Sequence, residues 1–381
     1  MAEPSRIPAR MFSPGEFLSR IHRDELVYFL CNVGDADAQV IVLPEDPETG
    51  HRRLMVVDVG ATRKVPALLR SLAKAGLAPT ALDGSLAPGA IALVVATHPH
   101  QDHIAGIPQV LREFGGSVAE FWDPGYFHTL PAYHEMMAAI EEQSLLLYAQ
   151  PTSGLRRWIG NVAVTVLSPS IMLRNRFDSY GVEINDASIS LRLEFPASRV
   201  IQLDEERNYI GSKNTQSLVL GADAQTLSWS YALGDFPFLQ PSESAVSKAL
   251  KMATGSDPLK GNVVKIPHHG SKHGINLELI ERISPRLTLV SSVGKGGSYG
   301  FPHSVAQELM REALEPTMGG RGGKRHKDYE LGIFYTSDVD DDGKRLGTIA
   351  LVMGKSKISM WRFGDSPSQM VDFRKGRVRR S

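Results

Sequence analysis

The chain has 381 residues, 42% of them hydrophobic, with Lys+Arg and Asp+Glu both at 42 and a formal net charge of zero. That length supplies core for one large domain or two smaller ones, and the charge balance argues against a protein that coats a polyanion, while leaving a local basic groove open. Cys31 is the only cysteine, so no intrachain disulfide and no cysteine-based zinc site is available.

The opening "MAEPSRIPARMFSPGEF" lacks the apolar centre of a signal peptide, and no run of about 18 apolar residues occurs anywhere. The expectation is a soluble, cytoplasmic protein with no membrane partner. "LVYFLCNVG" and "AQVIVLP" read as two strands joined by a short turn, followed by the strand "RRLMVVDVG". "KVPALLRSLAKAGL" has the apolar spacing of a helix and stops at a glycine. "GAIALVVATHPH" is a buried strand running into a loop, and "IPQVLREFGG" and "LPAYHEMMAAIEEQSLLLYAQ" are helices. Strand-like runs follow: "NVAVTVLSP", "ASISLRLEF", "QSLVLGA", "LSWSYALGDF" and "NVVKIPHHG". Residues 275–284 and 304–315 read as helices, and "IFYTSD…GTIALVMG…KISMWRF" as closing strands. Residues 196–213 and 316–328 have the composition of loops or insertions. No repeat and no linker divides the chain. The simplest account is one α/β domain over 25–364, with an N-terminal extension at 1–24 and a polar, basic tail at 365–381.

The chemistry concentrates in "ATHPHQDHIAG", residues 96–106. In an extended loop leaving a strand, His98 and His100 point the same way, and Asp102 and His103 sit where a helix begins, able to reach a second centre. Imidazole nitrogens and carboxylate oxygens are ligands for zinc, iron or manganese, and hydrolytic sites keep one coordination position for water.

The spacing H-x-H-x-D-H after a strand strongly resembles the signature of the metallo-β-lactamase fold. That resemblance implies an αββα four-layer sandwich, two central mixed β-sheets flanked by helices. It also implies that Asp58 in "VVDVG" orients a histidine ligand from behind. Asp235 in "YALGDF" is then expected as the metal-bridging carboxylate, and His269 in "KIPHHGS", chosen over His268, as the final ligand. "VYFLCNVGDADAQVIVL", "NTQSLVL…YALGDF", "VVKIPHHGSKHG", "LVSSVGKGGSYGFPH" and "IFYTSD…GTIALV" together resemble the hydrolase domain of ComEC-type competence proteins and their free-standing relatives. There "SYGFPH" places a histidine beside the metals, here His303. The family's "DVGQGD" reads "NVGDAD" here, so Asn32, Asp35 and Asp37 occupy that loop.

The expected metal ligands are therefore His98, His100, Asp102, His103, Asp235 and His269, holding two divalent ions, zinc first and manganese or iron as alternatives. Asp102, His303 and Asp58 are expected to serve catalysis. His268 and Ser271 are expected to contact substrate, Ser271 having the turn-cap as its other role. A third histidine for the first metal has no sharp motif; Asp123 and His128 in "FWDPGYFHTLPAYH" are the local candidates, with His134 behind them. The expected reaction is hydrolysis by metal-bound hydroxide, since a metal lowers the pKa of bound water from 15.7 toward about 7. The leading substrate is a phosphodiester, DNA or RNA among its forms. The alternatives are a carbonyl hydrolase acting on a lactone, thioester or β-lactam, and a non-catalytic metal-binding partner protein. "DVDDDG" (338–343) opens like a calcium loop but has Ile349 at the twelfth position, so it reads as a hairpin turn. "GKGGSYG" lacks P-loop order, and the basic clusters "GGRGGKRHK" and "FRKGRVRR" read as a solvated loop and a tail end.

Overall fold

"IALVV" forms the strand Ile91–Val95, buried at every position, as a continuous apolar run should be when helices and a second sheet cover both faces. The computed structural model describes residues 6–174, 183–196, 215–236, 258–294, 297, 299–315 and 326–379. Among these, Ile91–Val95 lies parallel to Leu54–Val59 on one side and Glu120–Trp122 on the other. The ten-stranded sheet that contains them runs in the order Ala9–Met11, Arg377–Arg379, Ile358–Arg362, Ile349–Met353, Leu26–Leu30, Ala38–Val42, Leu54–Val59, Ile91–Val95, Glu120–Trp122, Leu147–Ala149. The seven-stranded sheet runs Ile333–Tyr335, Leu287–Val290, Val263–Lys265, Gln216–Leu220, Ser190–Phe195, Val162–Ser168, Arg156–Ile159.

Strand alternation builds the layers. Along Leu26–Leu30, Val27 and Phe29 join a core shared with the helices Lys64–Lys74, Ile107–Phe114 and Pro131–Glu141. Leu26, Tyr28 and Leu30 face the other way, into a core shared with Val164, Leu191 and Leu218 of the second sheet. The second sheet's outer face packs on Thr226–Asp235, Leu277–Ile283 and Ser304–Leu314 through Val219, Val264, Trp229, Ile280 and Met310. The result is helix, sheet, sheet, helix, the four-layer αββα sandwich expected from the sequence.

Three expectations are corrected. "LSWSYALGDF" is the helix Thr226–Asp235, not a strand, because it buries Ser228, Trp229 and Ala232 against one sheet face and leaves the rest of its surface outward. The long helix expected through Gln150 ends at Glu141, and Leu147–Ala149 instead adds an edge strand parallel to Glu120–Trp122. The two ends are not appendages: Arg377–Arg379 pairs with Ala9–Met11 and with Ile358–Arg362, and Phe12, Phe17, Val371 and Phe373 are buried core residues. Asp365, expected in the tail, forms a fully buried ion pair with Lys64. Residues 197–213 and 316–325 of the expected insertions lie outside the described residues.

Leu54–Val59 and Ile91–Val95 run parallel in one sheet, and Gln216–Leu220, Val263–Lys265 and Leu287–Val290 run parallel in the other. The loops that follow these strands therefore collect at one edge of the sandwich. Ile189 N donating to Thr97 O at 2.9 Å ties the two sheets together there.

Candidate metal centre

Three loops of the first sheet interlock before any side chain is considered. Asp37 N donates to Asp102 O at 3.1 Å, Gly60 N to Asp37 O at 2.9 Å, and Gly106 N to Val59 O at 2.7 Å. A Cβ at Gly60 would stand 2.7 Å from Asp102 O, and one at Gly106 only 2.4 Å from Gly60 O. Side chains at these positions would force the loops apart.

Asp58 is fully buried behind this junction. Its Oδ1 accepts from Thr97 N at 2.8 Å, and its Oδ2 accepts from Thr97 Oγ1 and His103 Nδ1, each at 2.8 Å. His103 therefore carries its proton on Nδ1 and turns Nε2 forward. Having given its proton to Asp58, Thr97 Oγ1 accepts from His98 Nδ1 at 3.1 Å, which likewise turns the His98 Nε2 lone pair forward. On the second sheet, His269 Nδ1 donates to Ser291 O at 3.1 Å, fixing the same tautomer.

The carboxylate at which these rings converge is Asp223, from the turn after Gln216–Leu220. Its Oδ1 lies 3.3 Å from His103 Nε2 and 3.9 Å from His269 Nε2, and its Oδ2 lies 3.9 Å from His98 Nε2 and 3.7 Å from His268 Nε2. Asp235, expected in this place, is not here. It ends the helix Thr226–Asp235 at the surface and accepts a hydrogen bond from Ser153 Oγ. The expectation followed "GD" after an apolar run; "GAD" after "SLVL" is the pair that leaves a parallel strand, and only that one reaches the edge where the histidines are.

Asp37 of the "NVGDAD" loop, not singled out as a ligand from the sequence, completes the set. Ligand atoms of Asp37, His103, Asp223 and His269, all buried, lie within 4.8 Å of one another and could hold a metal ion. Asp37 Oδ1, His103 Nε2, Asp223 Oδ1 and His269 Nε2 are each buried without a hydrogen-bond partner. Buried polar atoms are normally satisfied, so four unpartnered acceptors facing one point fit a cation. Lys265, fully buried at the end of its strand, binds Asp37 Oδ2 and so leaves Oδ1 for the cluster. Charge within the site is balanced among its own groups. Burial would raise the Asp223 carboxyl, yet His103, His269 and His98 hold it well below the usual range. Burial would lower His103, yet Asp223 and Asp58 favour positive charge at this ring, whether a proton or a cation bound at Nε2. Burial pushes His98 well down, leaving a neutral imidazole suited to ligation.

The remaining expected residues divide. His100 Nδ1 lies 3.1 Å from His98 Nε2, so the H-x-H pair does converge. Asp102, with its side chain 40% exposed, places Oδ2 3.7 Å from His103 Nε2 and 3.8 Å from His269 Nε2, at the mouth of the cluster. His128 stands beside His100, ring centroids 6.2 Å apart, and its Nδ1 accepts from Leu130 N at 3.1 Å. Asp123 is buried, and its Oδ1 accepts from Gly125 N and the Tyr148 hydroxyl, the bonds of a turn residue. Ser271 is buried and its Oγ accepts from His273 N at 3.3 Å, so it caps its own turn. His134 packs against Phe127, outside the cluster. His303 begins the helix Ser304–Leu314, with Nδ1 accepting from Lys272 N at 3.0 Å. Four of the five non-glycine residues at positive φ are Asp58, Ala222, His268 and His269. Backbone of this kind costs about 1–3 kcal/mol per residue and persists where surrounding structure imposes it.

Residues 48–164 match the model of the metallo-beta-lactamase superfamily. The matched residues include Leu54–Val59, Ile91–Val95 and the H-x-H-x-D-H loop of the αββα sandwich. The chain is also 33% identical over 104 residues to ComE operon protein 3 of Bacillus subtilis (strain 168), a match spanning 27% of this chain and 12% of that protein. Among solved structures it is similar to the metallo-beta-lactamase fold protein YhfI from Bacillus subtilis, at 12% identity and TM-score 0.38, covering 75% of this chain and 93% of that one. A diphosphatase from the PhnP family is similar at 11% identity and TM-score 0.35, covering 83% and 96%. Among the described residues, no helix is long and apolar enough to cross a membrane.

Proposed function

We propose that the protein is a metal-dependent hydrolase acting on phosphodiester bonds. The observation that carries this reading is the set of buried, unpartnered acceptors on Asp37, His103, Asp223 and His269, with His98, His100 and His268 around the other oxygen of Asp223. Asp37, His103, Asp223 and His269 would hold one ion; His98, His100 and the second Asp223 oxygen, with His268 alongside, would hold the other. Bound divalent ions supply Lewis acidity and lower the pKa of water toward neutrality.

The chain's own groups do the rest. Asp58 fixes the ring of His103 directly and that of His98 through Thr97. Asp102 opens the cluster to solvent, where substrate must enter. Because His303 Nδ1 accepts a backbone hydrogen bond, its Nε2 carries the hydrogen, which would hydrogen-bond a substrate or leaving oxygen. Lys272 is exposed beside it, and its positive charge favours an anionic phosphodiester over a neutral lactone or β-lactam.

The test is metal analysis of the purified protein together with a screen of bis-p-nitrophenyl phosphate, single- and double-stranded DNA, RNA, a lactone and nitrocefin. Metal-dependent turnover of the phosphodiesters is expected. Turnover confined to the lactone or nitrocefin moves the protein to the carbonyl hydrolases, and bound metal with no turnover on any arm makes it a binding protein.

A further inference from the structure

Aromatic contacts run in series through the metal centre and out of it. His128 meets His100 at 6.2 Å between centroids, His100 meets His98 at 4.7 Å, His98 meets His103 at 4.2 Å, and His103 meets His269 at 5.7 Å. The series then leaves the histidines. Phe301 stacks on His269 at 5.7 Å and 22°, and Tyr299 stacks on Phe301 at 5.8 Å and 24°. Tyr299 is 66% exposed, an aromatic face offered to solvent three rings from His103.

The local backbone holds these rings in place. Gly270 has φ +79°, and a Cβ there would stand 2.7 Å from Pro302 Cβ; its absence lets the Phe301–Pro302 turn close over the His269 loop. A Cβ at Gly297 would come within 2.9 Å of Asp35 Oδ1, so the loop that carries Tyr299 is also braced on the Asp35–Asp37 loop. His303 packs edge-on against Phe301 at 5.1 Å, and Lys272 and His273 are exposed next to it.

We propose that Tyr299 and Phe301 form a stacking subsite for a nucleobase of the strand being cut. The subsite rests on the phosphodiester reading above. With the phosphate at the metals, the neighbouring residue of a nucleic-acid strand extends toward the Tyr299 face, while Lys272 meets its backbone charge. Stacking tolerates any base, since each has a π-face. The subsite therefore selects nucleic acid over a simple phosphodiester without selecting sequence.

The experiment measures binding of hydrolysis-resistant phosphorothioate oligonucleotides to the full, metal-loaded chain. One oligonucleotide carries bases and one of equal length is abasic. Removing one stacking aromatic weakens base binding by about 5- to 100-fold, and that is the loss expected for Tyr299→Ala on the base-bearing strand. Tyr299→Trp restores binding, and the abasic strand binds Tyr299→Ala and wild type alike. Equal weakening on both strands, or on neither, overturns the subsite. Phe301→Ala is expected to repeat the base-selective loss. The phosphodiester reading has its own arm: wild-type turnover of methyl p-nitrophenyl phosphate, which has no base. Turnover there without base-selective binding removes only the subsite. Base-selective binding without turnover supports the subsite and removes only the hydrolysis.

Discussion

Asp58 holds His103 through a 2.8 Å contact from Oδ2 to Nδ1, and does so from a left-handed backbone, φ 55°, with both residues fully buried. The same carboxylate reaches His98 through Thr97, so one residue sets two imidazoles on opposite sides of Asp223. Outer partners of this kind are worth about 10–100-fold in metal affinity or activity. Asp58→Asn is expected to cost that much in metal affinity while the chain remains folded, because asparagine keeps the shape and can still accept from Thr97 N. Metal titration beside a thermal melt checks it; unchanged affinity with normal turnover would make Asp58 a turn residue only.

Asp223 and Asp235 give opposite expectations. Asp223 lies within 4 Å of four histidine nitrogens, with the longest contacts at 3.9 Å, whereas Asp235 bonds to Ser153 at the surface. Asp223→Asn should lose metal from both halves of the centre and nearly all turnover. Asp235→Asn should keep full metal content and rate. Elemental analysis of the two purified variants decides the matter, and metal loss confined to Asp235→Asn would restore the assignment made from the sequence.

Much of the centre was legible because local spacing encoded it. "VVDVG" at one strand end, H-x-H-x-D-H after the next buried strand and "PHHGS" after a later one each fix their residues at a strand end, and the parallel strands carry those ends to one edge. What was not legible depends on the distance between sheets. Asp37 was noted only as part of an altered loop; its ligand role needs Lys265, far along the chain and on the other sheet, to hold one oxygen aside. Asp235 was expected as the bridging carboxylate, and Asp223 not singled out, because "SWSYALGD" alternates enough to pass for a strand, and only packing of Trp229 and Ala232 against the sheet face makes it a helix. The tail at 365–381 looked polar because its few core contacts, Phe373 and Val371, are spaced by charged residues.

Asp123 provides a test through pH. Burial pushes its carboxyl up to about 6, against hydrogen bonds from Gly125 and Tyr148 that lower it. A carboxyl raised in the folded state binds its proton more tightly there than when unfolded, so the stability it contributes is complete below about pH 4 and is lost as pH rises through about 6. Asp123→Asn should flatten that part of the stability profile and leave metal content unchanged. Chemical denaturation at several pH values, with metal analysis alongside, reads both. Metal loss in this variant would make Asp123 a ligand after all.

His303 separates a hydrolase from a metal-binding module. It touches none of the converging donors directly; its ring meets Phe301, and its Nδ1 is engaged by Lys272 N. Burial, followed by the nearby charges of Lys272 and His273, lowers its proton affinity, so the protonated ring, the form that can give a proton to a leaving oxygen, is populated toward lower pH. Removing a positioned acid costs about 10²–10⁴-fold in rate, so His303→Ala should keep both metals and lose turnover within that range on an unactivated phosphodiester. Nitrophenolate leaves without a proton, so on bis-p-nitrophenyl phosphate the loss should be much smaller. Metal loss in the variant would make His303 a ligand. An equal loss on both substrates would mean that it positions the substrate and gives no proton, and no loss on either would place the acid elsewhere.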